Sequence, residues 1–299
     1  MSILVLGTVA LDTVRTPHGR REKMLGGSAV HFSMSARLFT DVHLAAIVGR
    51  DFPRRHIDFL KHKGIVLDSL IHSEGRSFHW KGAYEKDMNS ALTKKTELGV
   101  LKEFCPRVTA RQRMIKHVFL ANVDPDLQHT LLACMHSPRL VGLDSMNYWI
   151  HTKRASLLKL FKKVDIFVAN DQEARDLSGE HNLIRAARWL KKKGPKMVLI
   201  KKGEHGVLFY SSRFTVSLPA YPTHTVIDPT GAGDTFAGGF MGFLSTQKKF
   251  SQQAIKQALA FGTIAASFNV EAFGAEKTSC LCMGDLKERI RRFRRITLF

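Results

Sequence analysis

Short apolar runs alternate with amphipathic stretches along most of the chain. The runs at 3–6, 44–48, 118–120, 140–143, 166–168 and 197–200 are aliphatic, often β-branched, and bounded by turn or charged residues. That pattern predicts buried strands separated by helices, the β-α-β rhythm of a mostly parallel sheet. Over 181–193 the apolar residues Leu183, Ile184, Ala187 and Leu190 recur at helical spacing, and Gly194-Pro195 stops the helix before the next strand. One region breaks the rhythm. From Ile71 to about Leu92 the chain turns to period-two alternation, clearest in Ser77-Phe78-His79-Trp80-Lys81-Gly82-Ala83-Tyr84. With the polar segment 12–24, residues 71–92 predict a small β sheet set apart as a lid, the plainer reading being an edge hairpin.

Composition narrows the class. A chain of 299 residues, 44% hydrophobic, has material for a sizeable core and is read as one domain over 1–299. No stretch approaches the roughly 20 apolar residues of a membrane span. The opening segment lacks a basic leader region, so it is expected to be a first buried strand and not a signal peptide. Cys105, Cys134, Cys280 and Cys282 form no C-x-x-C pair, as expected of reduced thiols in a cytoplasmic protein. The net charge of +20, from 46 Lys+Arg against 26 Asp+Glu, would attract polyanions or phosphorylated small molecules. The basic residues are spread along the chain, with short clusters at 191–193 and 291–295 and no zinc-finger or RNP motif. A solvated cationic surface therefore accounts for them, with neither nucleic acid nor membrane expected as partner.

The stretch that carries chemistry is Asp228-Pro229-Thr230-Gly231-Ala232-Gly233-Asp234-Thr235-Phe236, where an apolar strand end (Val226-Ile227) is expected to meet a Gly-Ala-Gly turn and a long helix. Backbone N–H groups at a helix start lack internal partners, and glycines there let an anion approach. Asp234 falls in the first turn, where a carboxylate is electrostatically favoured. A base beside an anion hole can deprotonate a hydroxyl while charge on a transferring phosphoryl group is stabilised. An ordinary acidic helix start fits the same residues. Gly238, Gly239 and Gly242 inside the helix cost about 1 kcal/mol each against Ala and imply a close approach to its backbone. No P-loop exists anywhere in the chain.

The motif Asp-Pro-Thr-Gly-Ala-Gly-Asp-Thr-Phe-Ala-Gly-Gly-Phe resembles the C-terminal signature of the ribokinase-like carbohydrate kinases, the PfkB family. Gly26-Gly27-Ser28-Ala29 resembles that family's paired-glycine substrate signature. Val48-Gly49-Arg50-Asp51-Phe52, Asn170-Asp171-Gln172-Glu173 and Ile200-Lys201-Lys202-Gly203-Glu204-His205-Gly206 resemble its further motifs, in order, from about residue 3 to 274. The resemblance implies a three-layer α/β/α fold with a central mostly parallel sheet and a small β lid. It implies an ATP- and Mg²⁺-dependent kinase acting on a hydroxyl of a small sugar or, as the alternative acceptor, a nucleoside. A reading from another class is a non-catalytic, nucleic-acid-associated protein on the same fold.

Position by position, the resemblance implies that Asp234 is the general base and that Gly231, Ala232 and Gly233 form the anion hole. Asn170 and Glu173 would place Mg²⁺ through its waters, although a helix cap suits the same pair. Lys201, Gly203 and Gly206 match the nucleotide loop, and Asn269 and Gly274 match the helix and turn flanking the adenine. Asp228 and Thr230 match positions that hold K⁺ in some relatives. On the acceptor side, Asp12, Gly26 and Gly27 would meet the sugar, with Trp80, among Phe78 and Tyr84 of the lid, able to stack on a sugar or base. His31 departs from the family, whose sugar kinases usually carry Asn there; it puts a plain ribose or fructose preference in question. The lid would exclude water on closure, and its exposed edges could support a homodimer.

Overall fold

The computed structural model describes residues 1–297. Among these residues the strands in chain order are β1 (Ser2–Leu6), β2 (Ala10–Thr16), β3 (Gly19–Gly26), β4 (Asp41–Gly49), β5 (Ile65–Ser73), β6 (Phe78–Tyr84), β7 (Ala91–Glu97), β8 (His117–Leu120), β9 (Leu140–Asp144), β10 (Ile166–Asn170), β11 (Met197–Lys201), β12 (Val207–Ser211) and β13 (Thr215–Leu218). Nine of them make the main sheet in the order β13-β12-β11-β10-β9-β8-β1-β4-β5. From β11 to β5 all neighbours are parallel, and β12 and β13 add an antiparallel edge. Parallel pairs need crossovers, and the helices that supply them cover both faces.

Side-chain alternation divides the core in two. Ile3 and Val5 of β1 join Val42, Leu44, Phe119 and Val168 on one face, while Leu4 and Leu6 join Ala45, Val118, Leu143 and Phe167 on the other. Each buried aliphatic side chain contributes about 1.5–3 kcal/mol, so the six apolar runs read from the sequence become the central strands. The predicted helix at 181–193 is Leu183–Lys192, capped by Asn182 Oδ1, which accepts from Ile184 N and Arg185 N. Its buried side is Ala186, Ala187 and Leu190; Ile184, expected on the apolar face, is exposed.

The first core is sealed by three closely packed helices, Ser28–Ala36, Ala232–Ser245 and Gln252–Asn269. Gly238 lies against the backbone of Phe32, Gly239 against Ser35 and Phe261, and Gly242 against Ala36. The close approach that these glycines signalled is helix on helix. The residues before the Ala232–Ser245 helix are not the strand expected at Val226-Ile227. They form an irregular segment pinned by Ile227 N and Asp228 N to Val270 O. A proline at 229 removes a ladder donor there, which disfavours a central strand.

The remaining four strands form a second sheet in the order β3-β2-β6-β7. Its extent corrects the expected bounds of 12–24 and 71–92. Residues 71–73 finish β5 of the main sheet, paired to Ile47, Val48 and Gly49, whereas the lid strands run over Ala10–Gly26 and Phe78–Glu97. The apolar run of β5 continues to Ile71 because it packs on the main core, so period-two reading began too early. Among the described residues no helix is long and apolar enough to cross a membrane.

Candidate active site

The expected site residues gather where parallel strands end, the edge at which open α/β sheets hold ligands. Asp144 ends β9, Asn170 ends β10 and Lys201 ends β11. Facing them, the helix Ala232–Ser245 begins at Gly231, whose φ of 75° lies in the left-handed region. The His31 ring occupies the space a Cβ would need at Gly231, so both conformation and room require glycine there. Ala232 N donates to Pro229 O at 3.1 Å and Thr235 N to Gly231 O at 2.8 Å. The expected donor set therefore changes. Ala232 is engaged, and among the described residues the N–H groups of Gly231, Gly233 and Asp234 are the ones left without a backbone partner.

Asp234 shares a charged pocket with Asp144, Glu173 and Lys201. Lys201 Nζ donates to Asp144 Oδ2 at 3.0 Å, and a Cβ on Gly233 would lie 2.7 Å from that ammonium. Asp144 Oδ1 accepts from Ser145 N at 2.6 Å. Asn170 and Glu173 cap the helix Asp171–Ser178 reciprocally: Asn170 Oδ1 accepts from Glu173 N at 2.8 Å and Glu173 Oε2 from Asn170 N at 2.7 Å. This capping box fixes the orientation of both side chains.

Three carboxyl groups surround one ammonium, and the acidities of Asp234, Glu173 and Lys201 record it. Burial and the Asp144 charge push the Asp234 carboxyl up to about 7 against the pull of Lys201. Burial and Asp144 likewise raise Glu173 well above the carboxylate range. Burial alone would lower Lys201, but the neighbouring carboxylates hold it above its ordinary value. A base near 7 is matched to proton transfer at neutral pH.

On the other side of the loop lie the residues expected to meet the acceptor. Asp12 is 5% exposed and its Oδ2 accepts from Gly27 N at 3.2 Å; Gly26 leaves the room this carboxylate fills. Burial pushes the Asp12 carboxyl up to about 7, and the charges of Asp228 and Asp234 add to it. His31 Nδ1 lies 3.2 Å from Asn269 Oδ1, which also accepts from Thr235 Oγ1 at 2.9 Å. Asn269 Nδ2 donates to Thr230 O at 2.8 Å, so Oδ1 faces His31 and Nδ1 carries the proton. Burial keeps the imidazole neutral. Nε2 is then a buried acceptor without a protein partner.

Asn269 and Gly274, expected at the nucleotide, are held beside His31 and Asp228. Asn269 is 1% exposed and bonded to His31, Thr230 and Thr235; Gly274 N donates to Asp228 Oδ2 at 3.0 Å and lies beside Met24 and Leu25. Asp228 Oδ1 accepts from Thr230 N at 2.9 Å. Asp228 thus ties the loop before the Ala232–Ser245 helix to the Gly274 turn. Gly203 opens a single helical turn after β11 and Gly206 follows it, both with φ in the left-handed region, at 54° and 83°.

The lid reaches both halves. Tyr84 Oη lies 3.3 Å from Thr230 Oγ1, and Asn89 Nδ2, in the β6–β7 turn, donates to Glu204 Oε1 at 3.1 Å. Burial and nearby carboxylates raise the Tyr84 phenol, so it stays protonated. Trp80 pairs with Asp12 in register and donates through Nε1 to Thr93 Oγ1 at 3.3 Å, with its ring over Gly82. Sequence reasoning missed Asp144 and Asn89 and gave Tyr84 only an aromatic role. Asp144 carried a usable signal, an acid closing an apolar run as Asn170 does. Asn89 carried none, since its partner lies 115 residues away.

Known proteins are similar to this chain in sequence and in fold. Residues 2–280 match the family model described as pfkB family carbohydrate kinase. A cytidine kinase of Thermococcus kodakarensis is 32% identical over 249 residues, 81% of this chain and 87% of that protein. The crystal structure of the Methanocaldococcus jannaschii nucleoside kinase superposes with a TM-score of 0.77 at 22% identity, covering 97% of this chain and 98% of that one. The aminoimidazole riboside kinase of Salmonella enterica, solved with aminoimidazole riboside and an ATP analogue, gives 0.79 at 18% identity, covering 97% and 100%.

Proposed function

The chain belongs to the pfkB family of carbohydrate kinases, and from that premise we propose that it transfers the γ-phosphoryl group of ATP to a ribose hydroxyl of a nucleoside. The observation that carries the reading is Asp234, a carboxylate of raised pKa, in the first turn of a helix whose free N–H groups face the same pocket. Asp234 takes the proton of the acceptor hydroxyl as its oxygen attacks the γ-phosphorus. The N–H groups of Gly231, Gly233 and Asp234, with Lys201 behind them, offset the charge on the transferring group. Asp12 and the acceptor nitrogen of His31 orient the sugar, one through its carboxyl oxygens in either protonation state and the other as a lone pair awaiting a hydroxyl donor. The lid, held by Tyr84 and Asn89, excludes water that would otherwise compete as phosphoryl acceptor.

Three carboxyl groups crowd one ammonium, two of them with raised pKa, and a hard divalent cation beside them would favour their ionised forms. Asn170 and Glu173 would hold Mg²⁺ through its waters, and the ion would supply neutralisation of phosphate oxygens. A K⁺ ion at Asp228 and Thr230 would share a carboxylate that already accepts from two backbone N–H groups. Activity in potassium against tetramethylammonium buffer tests it.

The nucleoside is favoured over a free sugar because the relative at 32% identity is a cytidine kinase and His31 stands where sugar kinases usually carry Asn. A panel of nucleosides and free pentoses and hexoses, assayed for ATP consumption, decides between them. Turnover confined to free sugars would restore the carbohydrate reading. Salt-sensitive RNA or DNA binding with no turnover on any alcohol would favour the non-catalytic one. We expect a cytoplasmic protein, and a homodimer would use the open lid edges β3 and β7, which sedimentation velocity reads.

A further inference from the structure

The lid has a second face, and its charges are arranged against one another. Alternation sends Asp12 and Tyr84 toward the cleft, where they meet Gly27 and Thr230, so Thr13, Arg15, Lys81 and Ala83 point to the opposite side. On that outer side Arg15 stands directly opposite Arg20 across β2 and β3, and Lys81 directly opposite Lys95 across β6 and β7. Like charges in directly opposed antiparallel positions destabilise a sheet. Carboxylates relieve this only at the rim: Glu22 lies 2.7 Å from Arg20, and Glu97 pairs with Lys95. Among the described residues, Arg15 and Lys81 have no carboxylate partner. Beside Arg15, Arg20 and Lys81 is a cavity of about 340 Å³, lined by these cations and Lys94, the one carboxylate of Glu85, and exposed Leu92.

We propose that this concavity is a binding site for a small oligophosphate anion, separate from the catalytic cleft. An anion seated between Arg15, Arg20, Lys81 and Lys94 turns the repulsive Arg15–Arg20 pair into charge-assisted hydrogen bonds, the stronger class of such contacts, and gives Lys81 the counter-charge it lacks. The cavity lies at the small end of ligand-pocket volumes, roughly 300–1,000 Å³, so it suits a few linked phosphates. A second copy of the chain is a poor occupant. A two-fold contact through this face would set the same cations against themselves.

The test is thermal unfolding of the full chain in chloride buffer, with and without millimolar inorganic tripolyphosphate. Wild type is compared with the Arg15→Gln/Lys81→Gln double variant and with the charge-retaining Arg15→Lys/Lys81→Arg variant. Without the anion, the Gln variant should melt above wild type, because repulsion is relieved. With it, wild type and the charge-retaining variant should rise further than the Gln variant, reading an affinity loss of about ten-fold or more in the latter. A rise common to all three belongs to the catalytic cleft. Orthophosphate, too short to reach all four lining cations, should give less. Equal rises in wild type and the Gln variant, or no rise in any, would overturn the site. A larger wild-type-specific rise with a short single-stranded oligonucleotide than with tripolyphosphate would overturn its assignment to a small anion.

Discussion

The helix that starts at Gly231 and the lid that touches it at Thr230 are held in place by opposite means. Behind the helix, Gly238, Gly239 and Gly242 let neighbouring backbones approach closely, and the residues around Asp234 have little freedom to shift. The lid has one packed strand, β2, while every residue of β7 from Ala91 to Thr96 is exposed. Its hold on the cleft includes side-chain contacts at Tyr84 and Asn89. On the proposed function, chemistry sits on the closely packed side and access on the exposed side, the division expected when a site must be preorganised yet opened each turnover.

Substitutions can sharpen that contrast. Asp234→Asn should lower kcat by about 10²–10⁴ while leaving the fold intact, read by steady-state kinetics beside circular dichroism. On the same side, Gly238→Ala should cost about 1–3 kcal/mol of stability, because the new methyl runs into the Phe32 carbonyl; a denaturant midpoint measures it.

The Asp12 carboxyl has a folded pKa of about 7 against about 3.9 unfolded, so the folded state binds the extra proton. Its stabilising contribution is complete below pH 4 and is lost as pH rises through 7. Relative to wild type, Asp12→Asn should therefore gain about 1 kcal/mol of stability between pH 6 and pH 8. On the loose side, Tyr84→Phe removes one hydrogen bond and should cost at most about 1 kcal/mol, appearing as a several-fold higher acceptor KM with little change in melting temperature. If Tyr84→Phe instead unfolded the protein, the lid would be part of the core and the contrast would fail.

Much of this was legible from local pattern. The central strands are short aliphatic runs buried on both faces, and the glycine turn before Asp234 announced both its own geometry and an acid in a first helical turn. What escaped depends on distance in sequence. Asn269 matched a nucleotide position, yet the fold brings it 238 residues back to His31, where it fixes the imidazole tautomer. The pairing of Lys201 with Asp144 spans 57 residues, and no spacing rule announces it. The glycines inside the helix signalled a close neighbour correctly, but only the packed helices show that the neighbour is protein. The lid bounds slipped because Ile71 serves the main core while the alternation that follows belongs to another sheet.

The most direct test is the dependence of kcat/KM on pH from 5 to 9 with the preferred acceptor, in wild type and in Asp234→Asn. Wild type should show an acid limb with a midpoint of about 7, since the base must be ionised, and the limb should vanish with the carboxylate. A wild-type profile flat through pH 7, or the same limb surviving in the Asn variant at undiminished rate, would contradict Asp234 as the base.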